Sequence, residues 1–274
     1  FDFKVRELKN EPTLQYIRDS WLMAMAEMDS EQRATWEAIY DKKNEEFLKN
    51  PSVGKDLLRW KYQRYVKEYC RTIRSVDEQV GRLLDYLEEK GVLDNTVIVY
   101  TSDQGFLLGE HGLYDKRFMY EESFRTPLII SCPSLVKKHS VCKELVQNID
   151  LAPTFLSLAG VEVPKEMSGR SLLPLFKNGK AENWRNELYY HFYDYPAVGS
   201  VRKHDGIRTK RYKLIHWHGE GSGNDEAIDF WELYDLKKDV MEVNNVYDNP
   251  KYVKVREALT VQLEKLRKDV GVTE

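Results

Sequence analysis

The chain has 274 residues, 42% hydrophobic and 32% charged, enough for a sizeable core in one large or two ordinary domains. Lys and Arg number 42 against 45 Asp and Glu, and the net charge of −3 excludes a nucleic-acid binder built on bulk basic charge as well as an acidic solvating tail. Mean hydropathy is −0.61, and no apolar run approaches the roughly 20 residues of a membrane span. Cys70, Cys132 and Cys142 are too few and too scattered for a disulfide framework or a zinc cluster. The chain opens Phe1-Asp2-Phe3, with no initiator Met and no signal-like segment. It is expected either to have lost a targeting segment or to be a piece of a longer protein.

Residues 1–55 are polar and interrupted, with Trp21, Trp36 and Phe47 as scattered anchors and Pro12 and Pro51 as punctuation; Ser30 to Lys49 reads as helical. From Asp56 to Lys90, Tyr62, Val66, Tyr69, Ile73, Val76, Val80, Leu83 and Leu87 recur at helical spacing, and Gly91 supplies a left-handed cap. Thr96 to Thr101 and Pro127 to Cys132 are β-prone and almost continuously apolar, which predicts strands buried on both faces, as in a parallel sheet. Asp150 is placed to cap a helix that tolerates Pro153 in its first turn and ends at Gly160. Helix, strand, loop, strand, helix predicts a layered α/β domain over 1–178.

Beyond that point Leu188–Tyr193, Gly206–Thr209, Tyr212–Trp217 and Phe230–Leu236 follow one another closely, as in an antiparallel meander. Pro250 to Val270 closes the chain as a helix, with Val253, Leu259, Leu263 and Leu266 on one face. A smaller α+β domain over 179–274 is therefore expected.

Ligands of an open α/β sheet sit beyond the carboxyl ends of its strands. There the strand at 96–101 runs into Ser102-Asp103-Gln104-Gly105. A carboxylate beside an amide offers two oxygen ligands to a hard cation such as calcium or magnesium, whereas zinc would prefer histidine at the second place. The same residues also read as an ordinary turn after a strand. The loop that follows packs Glu110, His111, Asp115, Lys116 and Arg117 between Gly109 and Arg125, and a loop this long and charged between two apolar strands points to function.

The block YTSDQGFLLGEHGLYDKRFMYEESFRTPLII, from Tyr100 to Ile130, resembles the corresponding stretch of the sulfatases of the alkaline-phosphatase superfamily, and within it bacterial carbohydrate sulfatases of the N-acetylglucosamine-6-sulfatase type. Ile149 to Thr154 and Trp231 to Leu236 resemble the same family, which thus covers most of residues 56–274. The resemblance implies the C-terminal part of a mixed-sheet alkaline-phosphatase-like domain, followed by a smaller α+β domain with an antiparallel sheet and a terminal helix. It makes Asp103 and Gln104 two ligands of a calcium ion. It makes Lys116 the lysine that contacts the sulfate and assists the leaving oxygen. A compact ammonium with three donors suits charge building on sulfuryl oxygens. Glu122 and Arg125 are expected to form a loop-fixing ion pair. His111 is expected either to touch substrate or to pack the loop.

The family's formylglycine motif, Cys/Ser-x-Pro/Ala-x-Arg, is not found in this sequence. Cys132-Pro133-Ser134 puts Pro directly after Cys and reads as a turn. The resemblance therefore implies the C-terminal portion of a sulfuric ester hydrolase acting on sulfated carbohydrate. Its nucleophile and remaining calcium ligands are then expected in an N-terminal half outside this sequence. Alone, such a chain is expected to be inactive, to bind calcium weakly, and to associate with that missing half or aggregate. A phosphodiesterase or phosphonate hydrolase of the same superfamily and a non-catalytic binding module are the rival readings. Gln104, where zinc-pair members usually carry His, counts against the hydrolase rival.

In the second domain, Tyr193, Tyr195, Arg202 and His204 surround a loop containing Pro196 and Gly199. The resemblance makes Arg202 and His204 candidates for binding a sugar that carries an anion; the competing reading is a solvated loop. His216 and His218 share a strand face, but with no third ligand in view they do not make a zinc site. Gly219 to Asp225 reads as a hairpin tip, and the basic residues over 202–213 as a solvated face. Sulfatases of this type are usually exported, so the resemblance implies a periplasmic or extracellular protein.

Overall fold

A computed structural model describes residues 22–195, 201–221 and 226–272. Trp21, Pro12, Pro196, Gly199 and most of the 219–225 tip lie outside them. The chain divides into two compact units, 1–82 and 83–274.

In the first unit, α1 (Ser30–Lys49) begins at Asp29, whose Oδ1 accepts the N–H groups of Glu31 and Gln32 at 2.9 and 2.8 Å. Past Pro51, α2 (Gly54–Glu89) returns alongside α1. Phe47 stacks on Trp60 at 4.0 Å, Arg64 donates to Asn44 at 2.9 Å, and Tyr40 donates to Glu68. Much of the helical apolar stripe is open: Tyr62, Ile73 and Val76 are all exposed. The helix stops where expected, with the Gly91 N–H on the Glu88 carbonyl and the Val92 N–H on that of Leu87.

In the second unit, β1 (Ile98–Thr101) pairs with β4 (Leu128–Ser131), Val99 opposite Ile130. The pairing is antiparallel and the strands are not covered on both faces, contrary to expectation: Ile129 is 63% and Tyr100 39% exposed. A continuous apolar run reports that both faces avoid water, but neither the direction of the neighbour nor what covers them. Between these strands lies a short hairpin of β2 (Leu107–Leu108) and β3 (Tyr114–Asp115), then a helical turn, α3 (Glu121–Phe124).

Beyond β4, α4 (Leu151–Leu158) and α5 (Leu173–Phe176) pack Leu172, Leu175 and Phe176 into a small core. Asp150 precedes α4 but makes no side-chain cap; its carboxylate turns to other donors.

The predicted meander is present as β5 (Glu187–Phe192), β6 (His204–Thr209), β7 (Tyr212–Gly219) and β8 (Ile228–Asp235), in that order and all antiparallel. Its two faces bury different partners, as strand alternation requires. Ile207, Leu214 and Leu233 meet Leu259 and Leu263 of the terminal helix α6 (Val253–Asp269). Ile215, Trp217 and Tyr234 meet Met119, with Phe118, Tyr120 and Phe124 around it. That second face places the sheet against the charged loop. The compact unit accordingly runs through residues 178 and 179, where a domain boundary was expected. The fold is mixed α/β with an antiparallel sheet and a terminal helix, as expected from sequence.

Candidate functional site

The segment after β1 is pinned by its backbone. Asn148 Nδ2 donates to the carbonyls of Asp103 and Ser102 at 2.9 and 3.2 Å, and Ser102 Oγ donates to the Gln104 carbonyl at 2.8 Å. Gly105 donates its N–H to the Ser123 carbonyl at 2.8 Å. The chains approach so closely there that a Cβ on Gly105 would lie 2.0 Å from the Glu122 oxygen, so no larger residue fits. With the backbone fixed, Asp103 and Gln104 line the same cavity, about 1390 Å³ in volume, whose wall also includes Asn148, Arg117, Tyr190 and Arg208. Two neighbouring side chains supplying only oxygen donors fit a hard cation, and they fill a minority of the 6–8 positions calcium takes.

Lys116 stands in an unusual backbone. Along Gly109–Arg117, Gly109, His111, Gly112, Asp115 and Arg117 have φ of 123°, 55°, 71°, 80° and 91°. Left-handed non-glycine residues are uncommon and cluster where function demands a strained loop. Two of them flank Lys116. The β2–β3 hairpin pairs Asp115 with Leu107, which brings the chain back to within a few residues of Gln104. Arg117 turns to Asp115 and lines the cavity. Lys116 is half-buried, precedes that wall residue without being one itself, and has no ion pair among the described residues. The structure thus unites Asp103 and Gln104 on one cavity and sets Lys116 at its margin.

Other sequence expectations are corrected. Glu122 does not pair with Arg125, which lies exposed just past α3. Facing inward, Glu122 places Oε2 3.5 Å from His111 Nε2. The His111 ring stacks on Tyr120 at 4.3 Å and is no part of the cavity wall, which favours the packing reading.

His204 is fully buried in β6, stacked on Trp217 at 4.2 Å, with Nδ1 2.8 Å from the Arg202 carbonyl. It begins a strand that starts earlier than its sequence suggested, and its burial there favours a packing role. Arg202 lies over the Tyr195 ring, 4.8 Å from its centroid, also away from the cavity. Burial pushes the His204 pKa down to about 4. The unfolded chain, with its ordinary histidine value near 6.5, binds this proton first as pH falls. Stability therefore drops between pH 6.5 and 4, by about 1.4 kcal/mol per pH unit from this group. Urea unfolding across that range should show this slope, and His204→Phe should flatten it.

His216 and His218 do have a third neighbour. Asp205 brings a carboxylate oxygen within 4.8 Å of their ring nitrogens. A two-residue turn at 210–211 sets Asp205 opposite His216, so the register carried this signal. Arg267 already occupies the cluster: its Nε and Nη2 hold the two Asp205 oxygens at 2.6 Å each, and Nη2 lies 3.1 Å from His216 Nδ1. The guanidinium engages the lone pairs a metal would take, and it ties α6 to the sheet. The basic residues over 202–213 are a solvated face only in part: Lys210 and Arg211 are exposed, but Lys213 is fully buried and Arg208 pairs with Glu121. Cys132 forms the expected turn, accepting the N–H groups of Leu135 and Val136.

Two family models match the chain, that described as Sulfatase over residues 24–161 and that described as N-sulphoglucosamine sulphohydrolase, C-terminal, over 109–269. The chain is 46% identical over 269 residues to the N-acetylglucosamine-6-O-sulfatase of Bacteroides thetaiotaomicron, covering 97% of this chain and 47% of that protein. It is 35% identical over 196 residues to the multifunctional alkaline phosphatase superfamily protein PehA of Trinickia caryophylli, covering 67% of this chain and 36% of the relative. Among solved structures, BT4656 in complex with its substrate D-glucosamine-2-N,6-O-disulfate matches with a TM-score of 0.87 at 45% identity, covering 100% of this chain and 54% of that one. The chain thus spans about half the length of these relatives or less.

Proposed function

The chain belongs to the sulfatase family, and on that footing we propose that its protein hydrolyses sulfate esters of carbohydrate, with a 6-O-sulfated glucosamine as the substrate class. The observation that carries this reading is the oxygen pair of Asp103 and Gln104 on one cavity beside the Lys116 loop, in a chain that matches a sugar-bound sulfatase along its whole length. Asp103 and Gln104 are assigned as part of a calcium shell, the rest of which comes from the remainder of the protein. Calcium there would supply positive charge against the sulfuryl oxygens. Lys116 is assigned to neutralise charge at the ester and its leaving oxygen. The remainder of the protein is also assigned the formylglycine nucleophile and the covering of the apolar surface at Tyr100 and Ile129.

No helix of the described residues is long and apolar enough to cross a membrane. The proposed location, periplasmic or extracellular, is supported by the resemblance to exported sulfatases alone. The amide of Gln104 favours a hard cation over zinc, and because zinc-pair members of the superfamily usually carry His at this place, it supports sulfate ester over phosphodiester as substrate. Release of inorganic sulfate from glucosamine 6-sulfate by the full-length protein tests the reading. Activity should vanish with EGTA, return with calcium, and exceed turnover of a phosphodiester. Preferential phosphodiester cleavage restored by zinc would reverse the assignment.

A further inference from the structure

Beneath the Lys116 loop lies a group of paired charges, of which Glu121 and Arg208 also line the cavity. Lys213, near the start of β7, is fully buried. Its Nζ donates to the Met119 carbonyl at 2.6 Å and sits 2.9 Å from Glu121 Oε1 and 2.7 Å from Glu242 Oε1. The other Glu242 oxygen accepts the Glu121 N–H at 2.6 Å, and Arg208 Nη2 lies 3.2 Å from Glu121 Oε2. Two cations thus meet two carboxylates, a neutral set of the kind burial permits. Lys213 and Arg208 hold the Glu121 carboxyl below its usual range although burial works the other way.

Every grip is on the chain just after Lys116. The Tyr190 hydroxyl donates to the Arg117 carbonyl at 2.6 Å. Met119 seats its sulfur over Gly206, where a Cβ would approach within 2.6 Å of it. Then Lys213 takes the Met119 carbonyl, and Glu242 the Glu121 N–H. A backbone left-handed at Asp115 and Arg117 relaxes toward ordinary φ unless its surroundings hold it.

We propose that Lys213, together with Glu242, is a positioning residue: it clamps the Met119–Glu121 backbone so that the strained turn presents the Lys116 ammonium to the anionic group of the substrate. The inference rests on the assignment of Lys116 made above. A misplacement of about 1 Å at a catalytic group costs on the order of 100-fold in rate. Removing Lys213 alone strands two carboxylates, so the informative variant is Lys213→Met with Glu242→Gln, which deletes one cation and one anion and leaves Glu121 to Arg208.

The test compares this double variant, Lys116→Ala and the wild type, all as full-length protein, on glucosamine 6-sulfate and on 4-nitrophenyl sulfate. A sugar alkoxide needs help in leaving and a nitrophenolate does not. Expected for the double variant is a native circular dichroism spectrum, a kcat on the sugar lowered by about 100-fold with KM within a few-fold, and a much smaller loss on the aryl ester. Equal losses on both substrates would make Lys213 a purely structural residue. Should the double variant not fold, Glu242→Gln alone carries the same comparison. Wild-type sugar turnover in the double variant, alongside a collapse in Lys116→Ala, overturns the positioning inference and spares the assignment of Lys116. Wild-type turnover in Lys116→Ala overturns both.

Discussion

Replacing Lys116 by alanine in the full-length protein is expected to lower kcat for sulfate release from glucosamine 6-sulfate by about 10²–10³-fold, the usual effect of removing one donor aimed at developing charge. The expectation rests on what surrounds the side chain. Arg117 is held by Asp115, Arg208 by Glu121 and Lys213 by two carboxylates, so these three are not free to replace the lost ammonium. Lys116 has no such partner among the described residues and stands between two left-handed residues that hold it at the cavity margin. Lys116→Arg is expected to restore little, because a planar fork on a longer stem does not reproduce a compact point charge. Because the side chain is half-buried and bonded to nothing described, the variant should unfold at the wild-type urea concentration. Steady-state kinetics with that control decide the matter, and turnover within a few-fold of wild type removes Lys116 from the reaction.

How far this site was legible in sequence depends on how local its determinants are. The stripe of α2 and its stop before Gly91, the meander of β5–β8, and the turn after β1 at Asp103 and Gln104 are written in neighbouring residues, by spacing, turn chemistry and residue type, whereas Asn148, which pins that turn, stands far along the chain. The antiparallel pairing of β1 with β4 was not, because apolarity on both faces carries no direction. Lys213 shows the limit most plainly. A lysine among scattered basic residues reads as solvent-facing, since an unpaired charge does not survive burial. Its carboxylates, Glu121 and Glu242, stand far along the chain on either side, and pairing at that range is invisible to a pattern read along one strand. His204 fails for a related reason: its aromatic neighbours, Tyr190 and Trp217, come from the strands on either side, and their joint burial of the ring follows from sheet order rather than from the loop in which it was read.

The largest loss of stability is expected at Asp150, which carries no assigned chemistry. Its carboxylate is fully buried and saturated with donors: Oδ1 accepts the Arg170 N–H at 2.8 Å and Arg185 Nη2 at 2.7 Å, and Oδ2 accepts the Gln147 N–H at 2.8 Å and Arg185 Nη1. Its carbonyl accepts the Thr154 hydroxyl, which in turn receives the Leu172 N–H at 2.8 Å. Three chain segments therefore meet on one residue. Asp150→Ala leaves the Arg185 guanidinium buried without its partner, a change that costs about 3–5 kcal/mol. Arg185→Met added to it removes the stranded charge and should recover part of that loss, since neither ion then remains to be desolvated. Urea unfolding of the wild type and the two variants measures both steps, and a loss below about 1 kcal/mol in Asp150→Ala would contradict the buried pairing. Asn148, two residues earlier, holds the carbonyls of Ser102 and Asp103. A turn loosened at Asp150 slackens that hold, so the cation affinity assigned to Asp103 and Gln104 should fall in Asp150→Ala even under conditions where the variant remains folded.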